Sequence, residues 1–162
     1  MNAADPAGVA SAAPDDALSL LREDHRRLEA LLVDCEQAAA DTTATSSADR
    51  SGLVARLGAL LVAHGQVEDE LVYPELDEAA AAKGRADHDE IGTLLKALVE
   101  DGQDAHGEFG SKLSPLAARL RAHVALEEQQ WFAALSGLRD EPGLSQQLAS
   151  RRAELLGPQG VD

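Results

Sequence analysis

Apolar residues along the chain recur at steps of three and four. Leu21, Leu28, Leu32 and Cys35 form one stripe; Leu53, Leu57, Leu60 and Leu71 a second; Ile91, Leu95 and Leu98 a third; Phe109, Leu113, Leu116, Leu120 and Trp131 a fourth. That spacing marks the buried face of a helix, and no segment alternates with the period of a strand. Asp15 or Asp16 can cap a first helix running to about Ala40, which stops in the polar stretch DTTATSSAD. A second starts near Arg50 and reaches at least Tyr73; Pro74 ends or kinks it, and Ala79–Ala82 could continue it to Gly84. A third covers 86–101, DGQDAHGEFG (101–110) reads as a loop, and a fourth covers 111–136. After a break from Gly137 to Gly143, residues 144–156 form a short polar-faced helix. The expected fold is all-α: an antiparallel up-down-up-down four-helix bundle over 15–138, with a disordered Ala/Pro/Gly/Ser-rich tail over 1–14 and a C-terminal helix and tail over 139–162.

What interrupts the stripes is more telling. His25, His64, His88 and His123 each occupy an inward position, one per long helix. Glu68 and Glu127 follow His64 and His123 by four residues, on the same face. The pattern repeats internally. Asp24-His25-x-x-Leu28-x-x-Leu31-Leu32 matches Asp87-His88-x-x-Ile91-x-x-Leu94-Leu95, and Leu61-x-x-His64-x-x-x-Glu68 matches Leu120-x-x-His123-x-x-x-Glu127. Tyr73 and Phe132 stand at equivalent places five residues past the glutamates. The two hairpins read as copies of one unit facing each other across a pseudo-twofold axis.

Residues four apart on a helix are neighbours, so each His-x-x-x-Glu pair can aim a nitrogen and a carboxylate at one point. Two such pairs and two further imidazoles bring four nitrogens and two carboxylates into one core layer. An isolated buried carboxylate costs several kcal/mol and normally takes a proton. Cations between the carboxylates remove that penalty, and paired metals in such sites lie about 3.5–4 Å apart. Imidazole with carboxylate suits iron, manganese or zinc; zinc is satisfied by four ligands, whereas iron takes more and leaves room for an exogenous one. His106, in the Gly-rich stretch, reads as a solvated loop residue, and Cys35 as a small core residue. Tyr73 lies about 140° round an α-helix from Glu68, so ring packing is expected of it unless Pro74 re-aims it.

Composition narrows the function. Lys and Arg number 14 against 29 Asp and Glu, a formal charge of −15. Such a surface repels phosphate backbones and anionic lipids, so neither nucleic acid nor membrane is expected as a partner. One cysteine excludes a Cys-cluster metal site. No apolar run approaches a membrane span, and MNAADPAGVASAAPDD lacks the basic start and apolar stretch of a signal peptide. The expected location is the cytoplasm.

The segments LREDHRRLEALL, LVAHGQVEDELVYPEL, ADHDEIGTLL and LRAHVALEEQQWFAAL resemble the haemerythrin-like (HHE cation-binding) family and occur in family order over nearly all of 18–136. The resemblance implies a bundle holding two non-haem iron ions with a bridging oxo or hydroxo group. It assigns His25 and His64 to one iron, His88 and His123 to the other, and Glu68 and Glu127 to bridging. It further implies binding or sensing of O2, NO or peroxide. Two alternatives stand beside that function: a di-iron enzyme degrading peroxide, and an iron-responsive or helical interaction module without redox turnover. The chain departs from oxygen-carrying relatives at Gly92, where they have a second histidine one turn after the third-helix ligand. The missing side chain either keeps space beside the metal or permits close helix packing.

Overall fold

Asp16 opens the first helix, α1 (Ala17–Ala40), by accepting a hydrogen bond from the Ser19 N–H at 2.7 Å. One of the amides that a first turn leaves unpaired is satisfied in this way. The computed structural model describes residues 16–41, 47–101, 106–140 and 143–158, and the expected N-terminal tail lies outside them. α2 spans Ser47–Val67 and is prolonged by a π-helical turn, Glu68–Val72, and a 3-10 turn, Tyr73–Glu75.

The chain turns extended at Leu76, so Ala79–Ala82 do not continue α2. They open α3 (Glu78–Asp101), which starts well before the expected residue 86. The Asp77 carboxylate accepts from the Ala80 N–H at 2.8 Å and makes this start. α4 spans His106–Leu126, so HGEFG is helical rather than loop, although nothing is described of the His106 side chain. Phe109, fully buried, anchors this turn against the low propensity of its glycines. A second π-helical turn, Glu127–Trp131, a single α-turn, Phe132–Ala134, and a 3-10 segment, Leu135–Asp140, follow. Gly143, at φ 95°, takes the left-handed conformation that precedes α5 (Leu144–Leu156).

α1 packs against α2 and α4, and α3 packs against α4 and α2, closing the predicted four-helix bundle; α5 lies across α1 and α2. The described residues contain helices and no strand. Two apolar clusters fill the interior. One, built on Leu28, Leu32, Leu57, Leu98, Phe109 and Leu116, also holds Cys35, whose thiol burial pushes up to about 11 and makes inert. The other is built on Leu18, Leu21, Val72, Trp131, Phe132 and Leu148. A layer of histidines and glutamates separates the two.

Candidate metal centre

Steps of three and four place the histidines one per helix at the level between the clusters. Their Nε2 atoms meet in pairs: His25 and His64 at 3.2 Å, His88 and His123 at 3.2 Å. Glu68 spans the pairs, with Oε1 3.1 Å from His64 Nε2 and Oε2 3.2 Å from His88 Nε2. Glu127 does the same from the opposite side, with Oε2 3.1 Å from His25 Nε2 and Oε1 3.3 Å from His123 Nε2. The result is two groups of four donors, His25–His64–Glu68–Glu127 and His88–His123–Glu68–Glu127, that share both carboxylates. All six residues are buried except His88, which is partly exposed.

This donor set fits a pair of cations. Glu68 Oε1 and Glu127 Oε2 are buried and accept no hydrogen bond among the described residues. Orphaned carboxylate oxygens in an apolar core are costly unless a cation sits between them. The other ring nitrogens support the same reading. Each Nδ1 faces an acidic side chain: His25 to Glu128 at 2.7 Å, His64 to Asp24 at 3.6 Å, His88 to Asp69 at 3.4 Å and His123 to Asp87 at 3.4 Å. The hydrogen bonds of His25 to Glu128 and of His123 to Asp87 fix the tautomer that leaves Nε2 free for a metal, whereas Asp24 and Asp69 stand behind His64 and His88 as nearby charges without a hydrogen bond to Nδ1. The spacing argument did not find these four. Their signal was the repeat itself, which is acidic just before His25 and His88 and just after Glu68 and Glu127.

Both π-helical turns begin at a glutamate of the layer. The Tyr73 N–H bonds to the Glu68 carbonyl and the Phe132 N–H to the Glu127 carbonyl, five residues back. An extra residue in the turn brings positions five apart onto nearly one face. Tyr73 therefore points into the layer, contrary to the α-helical expectation of simple ring packing. Its O–H donates to Glu127 Oε1 at 2.8 Å and lies 3.1 Å from His88 Nε2 and 3.4 Å from Glu68 Oε2. Phe132 holds the matching place beside His25, rings stacked at 5.7 Å, but offers no donor. The centre is thus asymmetric: a phenol enters the His88–His123 half and only a hydrocarbon ring borders the other.

Gly84 makes room for the phenol, because a Cβ there would lie 2.5 Å from Tyr73 Cζ. Gly92 has a different setting. A Cβ there would meet nothing within 4 Å, so helix packing does not explain this glycine. It borders an apolar cleft of about 180 Å³ between α2 and α3 that reaches His64, His88 and His123.

Charge in the metal-free layer follows from burial and neighbours. Burial opposes a proton on His64, but Glu68, Asp24 and Glu127 hold its pKa well above the ordinary value. Burial opposes ionisation of Glu68, yet His64 and His88 hold it well below the ordinary carboxylate range. Burial likewise opposes charge on His88, and Glu68, Asp69 and Glu127 outweigh it. Burial lowers His123, and although Glu127 and Glu68 pull upward, the charges on His88 and His64 help keep it neutral.

Neither the curated proteins nor the solved structures yield a match. The family model described as the hemerythrin HHE cation binding domain matches residues 16–135, which carry all six converging histidines and glutamates. The chain belongs to the hemerythrin HHE cation-binding domain family.

Proposed function

We propose that the chain is a non-haem di-iron protein that binds or senses a small ligand such as O2, NO or peroxide. The observation that carries this is the asymmetry between two four-donor groups sharing Glu68 and Glu127. His25, His64, His88 and His123 would hold the metals terminally, and the two carboxylates would bridge them. Tyr73 would supply a fifth donor to the His88–His123 half, whereas Phe132 leaves the His25–His64 half with room for an outside ligand. When bound, an iron pair supplies open coordination positions and electrons for a small oxidant. The protein's own contribution is an apolar surround that excludes water and a set of Nδ1 carboxylates that hold each ring in place.

Protein prepared without added metal should contain about two irons per chain and take up azide, a probe of open ferric positions. Glu68→Ala and Glu127→Ala should each reduce iron content severalfold, because each removes a donor from both halves. One zinc per chain and no iron would sink the di-iron reading. Two irons retained in either variant would sink the bridging assignment.

Tyr73 favours peroxide turnover as the second reading, since its hydroxyl keeps a proton 2.8 Å from Glu127 in the middle of the site. Steady peroxide consumption that falls in Tyr73→Phe with iron content unchanged supports the enzyme. Ligand binding without turnover supports the sensor.

A further inference from the structure

The two halves match in their histidines and glutamates but differ in the acids' partners behind them. Asp87, behind His123, pairs with Lys83 four residues before it and with Arg119 four residues before His123. The corresponding positions in the first half are Leu20 and Leu60, both buried and neither able to neutralise a carboxylate. Asp24, behind His64, is nonetheless almost fully buried. Its cation comes from outside the repeat. Arg152 on α5 donates from Nε to Asp24 Oδ2 at 2.9 Å and places Nη2 2.5 Å from Oδ1, a two-pronged pair.

We infer that Arg152 is a positioning residue for the His25–His64 half, acting through Asp24 on the His64 ring. The C-terminal helix, which lies beyond the family-matched residues 16–135, then completes the metal centre rather than merely capping the bundle. The physical reason is the state of Asp24. Paired with Arg152, it is a fixed negative charge 3.6 Å from His64 Nδ1. Without that two-pronged contact nothing anchors the buried Asp24 carboxylate, which can rotate away and leave the His64 ring free to turn. Losing a carboxylate behind a ligating histidine typically weakens metal binding about 10- to 100-fold. The second half is insulated, because Asp87 has its own cations.

The inference rests on the two-metal reading, and cobalt(II) added to metal-free protein tests both. Wild-type protein should bind two ions. Arg152→Met keeps most of the aliphatic stem and should weaken one ion about 10- to 100-fold while leaving the other at wild-type affinity. Paramagnetically shifted histidine N–H signals should identify the weakened ion as that of His25 and His64. Arg152→Lys should restore part of the loss. Arg151→Met is the control for docking of the helix, since Arg151 pairs with exposed Glu70 at 2.8 Å and does not pair with Asp24; it should bind both ions normally. Arg152→Met with two ions at wild-type affinity overturns the inference alone. So does an equal loss in Arg151→Met, which would make α5 docking the cause. Wild-type protein that binds no cobalt overturns the two-metal reading and the inference with it.

Discussion

Gly84 and Gly92 are both interior residues of α3, yet their surroundings predict opposite signs for the same substitution. Alanine in place of a helical glycine normally stabilises by about 1 kcal/mol. Gly92 meets nothing within 4 Å, so Gly92→Ala should raise stability by about that amount. At Gly84 the new methyl would be driven into the Tyr73 ring, and Gly84→Ala should destabilise by about 1–3 kcal/mol. It should also push the phenol out of the His88–His123 half. Urea unfolding of the two variants checks the signs, and stabilisation in both would mean that Gly84 does not hold the ring in place. At this scale the inward histidines and glutamates were legible because position on a helix face follows from spacing alone. The acidic residues behind the rings were not, since Asp24 serves His64 and Asp87 serves His123, each on the neighbouring helix. Which carboxylate crosses to which ring depends on packing, not on sequence separation.

Boundaries between elements turned on local chemistry that periodicity does not report. The Ala-rich run after Pro74 fits either helix it could join, and the choice rests on Asp77, whose side chain caps the start of α3. Asp77→Ala should cost about 1 kcal/mol in urea unfolding. Asp77→Asn, which keeps the acceptor, should cost little; an equal loss in both would point to charge rather than capping. The π-helical turns were illegible for another reason. They begin at Glu68 and Glu127, inside sequences with ordinary helical spacing, and they add one residue to the turn. A helix pays a hydrogen-bond register for that insertion, and such turns collect at functional sites. Here the register shift moves Tyr73 from the expected packing position to the centre of the layer. The His64–Glu68 and His123–Glu127 pairs end where the π-helical turns begin, which is why their spacing could still be read.

The bundle as a whole places two histidines that favour their charged form and an ionised glutamate in one layer, and this makes stability depend on pH and metal together. In the metal-free chain, Glu68 lies well below its ordinary 4.5. Its contribution is present above that value and is lost as pH falls through the lowered folded-state pKa. His64 and His88 lie above their ordinary 6.5. Their contribution is full below 6.5 and is lost as pH rises through the raised folded-state pKa values. Metal binding reverses the second effect, because a cation at Nε2 replaces the proton there. His123, already neutral, contributes no proton. Loading at neutral pH should therefore release protons from His64 and His88, and affinity should rise with pH. The difference in Tm between loaded and metal-free protein should widen from about pH 6 to about pH 9, since the free chain loses its histidine contribution and the loaded chain does not. Calorimetry in buffers of different ionisation enthalpy counts the protons, and thermal unfolding across that range measures the gap. Parallel Tm profiles with no proton release would show that metal does not displace protons from these rings, and would remove His64 and His88 from the ligand set.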